Sequence, residues 1–117
     1  MIFPYMSILI LDNERTIRKA LGFALRNLGY KTLEAKNAVE ALELISIDSF
    51  DLIVIDLNLP VISGLEFLNN LKETGKNIPT LILTSQKQIN KDKFKYISKE
   101  MPLNKIVKKI INELNHN

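Results

Sequence analysis

Four side chains capable of chemistry each stand at the end of an apolar run in this sequence. Asp12 follows SILIL and Asp56 follows LIVI, while Thr84 and Lys99 come at the ends of TLILT and YIS. Carboxylate oxygens bind hard cations, and without nitrogen or sulfur ligands they favour Mg²⁺ over Zn²⁺. A carboxylate can also attack phosphorus to give an acyl phosphate, while a hydroxyl and an ammonium group stabilise the remaining phosphoryl oxygens. These residue types therefore suit metal-dependent phosphoryl transfer, provided that they meet in space.

The segments that must position these side chains alternate between strand and helix patterns. Apolar runs predict strands at 6–12, 51–56 and 78–85, and two shorter stretches are weaker strand candidates, at 31–35 and 94–98. Apolar residues at helical spacing predict helices over 13–30, 37–50, 63–75 and 102–114. Asn37 and Ser63 are typical N-cap residues. Gly29 and Gly75 are typical of positions just past a helix end.

This alternation predicts a doubly wound α/β fold, with a five-stranded parallel sheet and helices on both of its faces. In such sheets, ligands bind beyond the carboxyl ends of the strands. Asp12, Asp56, Thr84 and Lys99 are therefore expected along one rim. A single acid after a strand is usually a turn residue, but polar groups at the ends of four strands favour a site.

The composition excludes several other kinds of site. The 117 residues include no cysteine and one histidine, His116, so the chain has no thiolate metal site, cysteine nucleophile or multi-histidine zinc site of its own. The formal charge of +3 is too small to indicate nucleic-acid binding without a clustered basic face. No apolar run approaches the roughly 18 residues of a membrane span, and the first residues lack the charged start of a signal peptide. We expect one cytoplasmic domain that contacts neither membrane nor nucleic acid by itself.

The chain resembles a response-regulator receiver domain over its whole length, 1–117. The resemblance is carried by ILILDNE, DLIVIDLNLPVISGLEFL, TLILTS and YISKEMPL. It implies the flavodoxin-like strand order 2-1-3-4-5 and a switch based on an aspartyl phosphate. A sensor histidine kinase or a phosphotransfer protein would donate the phosphoryl group, and an unidentified downstream protein or effector domain would respond. A receiver is not an enzyme beyond its own phosphorylation and dephosphorylation, and some receivers form homodimers.

The resemblance also implies roles for individual residues. Asp56 matches the phosphoacceptor, Thr84 the switch hydroxyl and Lys99 the lysine that completes the catalytic group. Tyr96 matches the aromatic residue that moves inward with the threonine. Gly64 matches the glycine that lets a helix start directly after the acceptor loop.

The Mg²⁺ ligands implied by the resemblance are Asp12, Asn13, Asp56 and, through its backbone carbonyl, Asn58. Asn13 departs from the family pattern, in which this position usually carries a second acid that binds the metal directly. An amide oxygen can coordinate but brings no charge. We therefore expect Mg²⁺ to bind more weakly than in a typical receiver, and Asn13→Asp to tighten it.

Two further departures lie in the last third of the chain. Lys99 precedes Glu100 where the family usually has proline after a cis bond, and because a cis bond before another residue costs about 2.5–4 kcal/mol, a trans bond is expected. Residues 85–95 are too few for a full helix with its loops, since a parallel crossover takes at least about 10–12 residues. The fourth helix of the family is therefore predicted to be shortened to one or two turns, or missing.

Two alternatives to the phosphorylation switch remain open. The departures at Asn13, Glu100 and 85–95 also suit a pseudo-receiver, a protein-binding module that keeps the fold but signals without phosphate. A small hydrolase or phosphatase of the aspartate type shares the nucleophilic acid but normally needs a second acid close behind it. Asn58, two residues after Asp56, argues against that class.

Overall fold

A five-stranded parallel sheet forms the centre of the protein in the computed structural model, which describes residues 6–87 and 93–116. The strands are β1 (Ser7–Leu11), β2 (Lys31–Ala35), β3 (Leu52–Ile55), β4 (Thr80–Thr84) and β5 (Tyr96–Ser98). The helices described are α1 (Arg15–Asn27), α2 (Ala38–Ile47), α3 (Gly64–Glu73) and α4 (Leu103–Asn115). The strands lie in the order β2-β1-β3-β4-β5 and pair in parallel, so the predicted doubly wound fold is confirmed.

The sheet is buried on both faces, which explains why its central strands are continuously apolar. Successive residues of β1 alternate between two cores, with Ile8 in one and Leu9 in the other. In the first core, α1 and α4 pack against one face of the sheet. In the second, α2 and α3 pack against the other face, and Phe67 of α3 is fully buried there. None of the helices in the described ranges is long and apolar enough to cross a membrane.

The predicted capping residues lie at helix ends as the sequence indicated, although α2 ends at Ile47, before the predicted end at 50. The side chain of Asn37 accepts a hydrogen bond from the backbone N–H of Glu40 at the start of α2, and Ser63 caps α3 in the same way. Gly29 and Gly75 follow α1 and α3 with φ of 96° and 76°, a left-handed conformation that glycine adopts without steric cost.

The connection between β4 and β5 is short, as predicted. Residues 85–87 and 93–95 on either side of it are not helical. The predicted turn or loop at 86–93 falls largely on residues 88–92, which lie outside the described residues. Five residues leave no room for a helix of ordinary length, so the prediction of a shortened or missing fourth helix is confirmed.

Val61, in the loop between β3 and α3, has an unfavourable backbone conformation. Its φ is 66° and its side chain is 98% exposed, in a tight turn closed by a 2.8 Å hydrogen bond from the N–H of Ile62 to the carbonyl of Pro60. Left-handed backbone costs most residues about 1–2 kcal/mol, and a β-branched residue is a marked outlier there.

Val61→Asn should therefore raise the free energy of unfolding by about 1 kcal/mol, because asparagine tolerates this conformation and no packing is lost. Urea denaturation measures the change. Ile47→Asn, at an 82% exposed position in α2, is the control for replacing an exposed β-branched residue. Equal changes in both variants would show that the turn is not strained.

Candidate functional site

Three of the predicted side chains converge at the carboxyl edge of the sheet. Leu11 and Ile55 are register partners in β1 and β3, so Asp12 and Asp56 follow side by side. The N–H of Asp56 also bonds to the carbonyl of Leu11 at 2.9 Å. Lys99 follows β5, two strands away, and its long side chain spans the remaining distance.

The ammonium group of Lys99 lies among carboxylates. Its Nζ atom is 2.9 Å from Asp12 Oδ2, 2.9 Å from Asp56 Oδ2 and 2.8 Å from Glu14 Oε1. The side chains of Lys99, Asp12 and Asp56 are at most 7% exposed, whereas that of Glu14 is 62% exposed. The cluster is therefore a buried ion network with one member at its mouth.

Local backbone bonds hold the two buried carboxylates in place. Asp12 Oδ1 accepts a 2.9 Å hydrogen bond from the N–H of Glu14, and Asp56 Oδ1 accepts a 3.0 Å bond from the N–H of Asn58. Each acid thus bonds to the residue two positions on, a turn typical of aspartate. Lys99 donates a hydrogen bond to the second oxygen of Asp56 and also to Asp12 Oδ1, at 2.9 and 3.2 Å. Asp12 Oδ2 lies 2.9 Å from Lys99 Nζ but accepts no hydrogen bond of adequate geometry within the described residues.

Burial is the largest influence on the pKa values of Asp12 and Lys99. It raises the pKa of Asp12 above the usual value, against the opposing effect of hydrogen bonds from the Glu14 backbone and Lys99. Burial alone would lower the pKa of Lys99, but its hydrogen bonds to Glu14, Asp12 and Asp56 outweigh it and raise that pKa. Lys99 is therefore charged at neutral pH.

The other predicted site residues lie at the same edge without joining the ion network. Thr84 ends β4 and is buried, and its hydroxyl accepts a 3.0 Å hydrogen bond from the N–H of Gln86. The carbonyl of Thr84 accepts a 2.9 Å hydrogen bond from the backbone N–H of Lys99. Asn13 and Asn58 are exposed beside the two buried acids. The bond between Lys99 and Glu100 is trans, as expected.

Two residues at the site were not predicted from the sequence as members of it. Glu14 reaches Lys99 across 85 positions of sequence. Arg18 is buried and donates a 2.8 Å hydrogen bond to the backbone carbonyl of Asp12, while its Nε atom lies 3.4 Å from Glu34 Oε1. Their closeness to Asp12 in the sequence could have indicated them, since both lie within seven residues of it, in the turn and first helix after β1.

The start of α3 packs directly against the backbone that carries Asp56. The N–H of Gly64 bonds to the carbonyl of Leu57 at 3.1 Å. A Cβ atom added at Gly64 would lie 2.7 Å from the Cα of Leu57 and 2.9 Å from the carbonyl oxygen of Asp56. Only glycine fits this contact, in agreement with the role predicted for Gly64.

The donor set fits a hard divalent cation. Carboxylate oxygens of Asp12, Glu14 and Asp56 all lie within 4.8 Å of one another. They are oxygen ligands only, which is the preference of Mg²⁺. Within the described residues the buried Asp12 Oδ2 accepts no well-formed hydrogen bond, although Lys99 Nζ lies 2.9 Å away, so this oxygen keeps acceptor capacity that a cation could use.

Comparison with known proteins gives one family. The family model for the response regulator receiver domain matches residues 8–111. Response regulator MprA of Mycobacterium avium is 36% identical over 85 residues, which are 73% of this chain and 37% of that protein. The chain thus spans little more than a third of the curated relatives that it matches.

Solved structures show the same fold. The response regulator TrrA of Thermotoga maritima, in complex with Mg²⁺–BeF, superposes with a TM-score of 0.79 at 28% identity, covering 93% of this chain and 98% of that one. A CheY-like receiver domain protein of Methanospirillum hungatei superposes with a TM-score of 0.84 at 24% identity, over 96% and 95% of the two chains, which shows the fold alone.

Proposed function

Because this chain belongs to the response regulator receiver domain family, we propose that it is a phosphorylation switch in which Asp56 accepts the phosphoryl group. The observation that carries the proposal is the position of Asp56. It lies buried at the end of β3, with one oxygen bonded to the backbone and the other 2.9 Å from the ammonium of Lys99. No finding favours the pseudo-receiver alternative.

The reaction transfers a phosphoryl group from a donor to Asp56. The Oδ2 atom of Asp56 forms a bond to the phosphorus, the bond from phosphorus to the donor breaks, and the donor keeps that electron pair. Lys99 is placed to offset negative charge on the phosphoryl oxygens. The Thr84 hydroxyl, on the neighbouring strand, accepts a hydrogen bond from the N–H of Gln86 and would donate its own proton to one of those oxygens.

Mg²⁺ would be held by Asp12, Asp56, the Asn13 side chain and the backbone carbonyl of Asn58. When bound, it would neutralise charge shared between the carboxylates and the phosphoryl oxygens, as in other phosphoryl transfers. The solved TrrA complex with Mg²⁺–BeF supports this assignment, because that receiver shares the fold and 28% of its residues. The side chains of this chain would orient Asp56 and balance the negative charge of the carboxylates and the phosphoryl oxygens.

Membership of this family also indicates which kinds of protein would act before and after this domain. The phosphoryl donor would be a sensor histidine kinase or a phosphotransfer protein in the cytoplasm, and a downstream protein or effector domain would read the phosphorylated state. A homodimer is one form that this output could take. The whole of residues 1–117 would act as one receiver domain, catalysing at most its own phosphorylation and dephosphorylation.

Incubation with acetyl phosphate and Mg²⁺, followed by intact-protein mass spectrometry, tests the proposal. The wild-type chain should gain the mass of one phosphoryl group, and Asp56→Asn should gain none. Asp48→Asn, which removes an acid from the exposed pair with Lys31, is the matched control and should label like the wild type. No gain by the wild type at any Mg²⁺ concentration would refute the switch and favour the pseudo-receiver.

A further inference from the structure

We propose that Glu14 supplies the third carboxylate of the cation site and so provides the charge that Asn13, its neutral neighbour, cannot. The inference rests on the function proposed above and assigns a role to a residue that the sequence pattern did not. Three independent features of the described residues support it: the position of Glu14 just before α1, the charge of the cluster and the exposure of the carboxylate.

Glu14 occupies the N-cap position of α1 without capping the helix. Its backbone is extended, with φ of −82° and ψ of 105°, and its side chain makes no cap hydrogen bond in the described chain. Glutamate is not among the residues preferred at this position, where shorter side chains reach the free N–H groups. The carboxylate instead lies 2.8 Å from Lys99 Nζ, so its placement serves the cluster and not the helix.

The charge of the cluster depends on Glu14. Asp12, Glu14 and Asp56 with Lys99 carry a net charge of −2, which one divalent cation neutralises. Without Glu14 the same group would carry only −1. The nearby Arg18 forms no ion pair with these carboxylates within the described residues: it donates to the backbone carbonyl of Asp12 and lies 3.4 Å from Glu34, which also pairs with Lys19 and Arg26.

The exposure of Glu14 gives the cation a route of entry. Asp12 and Asp56 are at most 4% exposed on their side chains, whereas Glu14 is 62% exposed. A carboxylate at the mouth attracts a hydrated cation before the buried acids exchange its water, and Mg²⁺ gives up that water reluctantly. Glu14 is thus both a charge of the site and its outermost oxygen donor.

Calorimetric titration of the metal-free chain with MgCl₂, without any phosphoryl donor, tests this role. Glu14→Gln keeps the size of the side chain and should weaken Mg²⁺ binding about five- to tenfold, the effect of one charge at short range in a solvent-facing site. Glu100→Gln makes the same change in net charge next to Lys99 but outside the cluster, and it should leave the Kd within about twofold of wild type. Adding Asn13→Asp to Glu14→Gln should bring the Kd back near the wild-type value.

Three results would overturn the inference: an unchanged or tighter Kd in Glu14→Gln, an equal loss in Glu100→Gln, or no measurable Mg²⁺ binding by the wild type. Acetyl phosphate labelling at saturating Mg²⁺ separates this failure from that of the proposed function. Labelling of the wild type with an unchanged Kd in Glu14→Gln would remove the role of Glu14 and keep the switch. A weakened Kd in Glu14→Gln without any labelling of the wild type would keep the role of Glu14 in Mg²⁺ binding and refute the phosphorylation switch.

Discussion

Replacing Lys99 with methionine should lower the free energy of unfolding of the metal-free protein by about 3–5 kcal/mol. Methionine keeps much of the length of the side chain but removes the charge that lies 2.9 Å from both Asp12 and Asp56. Two buried carboxylates would then face each other without a cation, and an uncompensated buried charge is far more costly than a missing surface pair.

Urea denaturation with EDTA and then with Mg²⁺ measures this effect. Mg²⁺ should restore more stability to Lys99→Met than to the wild type, because the ammonium no longer competes for the same oxygens. Lys95→Met is the matched control, since Lys95 is paired with Glu113 at 2.8 Å but is 64% exposed, and its loss should cost about 1 kcal/mol or less. Equal losses in the two variants would contradict a buried, ionised cluster.

Replacing Gly64 with alanine should be the second most damaging of these substitutions, with a loss of about 1–3 kcal/mol. The added methyl would meet the Cα of Leu57 at 2.7 Å and the carbonyl of Asp56 at 2.9 Å, and neither is the flexible end of a side chain. The start of α3 or the backbone after β3 must move. Labelling by acetyl phosphate should slow, because the displaced backbone carries the proposed acceptor.

Gly22→Ala provides the control for Gly64→Ala. It lies inside α1, and its added methyl would meet the ends of the Glu34 and Arg26 side chains, which can shift more easily than the backbone atoms that crowd Gly64. Alanine is also favoured over glycine within a helix by about 1 kcal/mol, so Gly22→Ala should be close to neutral in stability and in labelling. A loss of stability in Gly22→Ala as large as that in Gly64→Ala would show that the contact with Leu57 is not the cause.

Local chemistry in the sequence was enough to determine the elements and the edge at which the site lies. Continuous apolar runs predicted β1, β3 and β4, because a strand buried on both faces needs apolar residues throughout, whereas β2 and β5 were weaker strand candidates that the structure confirms. The side chains of Asn37 and Ser63 marked helix starts, because both satisfy free backbone N–H groups. Strand–helix alternation then placed Asp12, Asp56 and Lys99 at one edge, where their side chains are in contact.

Only the tertiary structure decided which groups complete the site. The contact between Glu14 and Lys99 joins residues 85 positions apart, and its formation depends on the direction of a side chain at the start of α1. The buried bond from Arg18 to the carbonyl of Asp12 depends on how α1 packs against the sheet. Sequence spacing fixes which residues are near one another along an element, but the meeting of side chains from separate elements depends on packing, which no local pattern records.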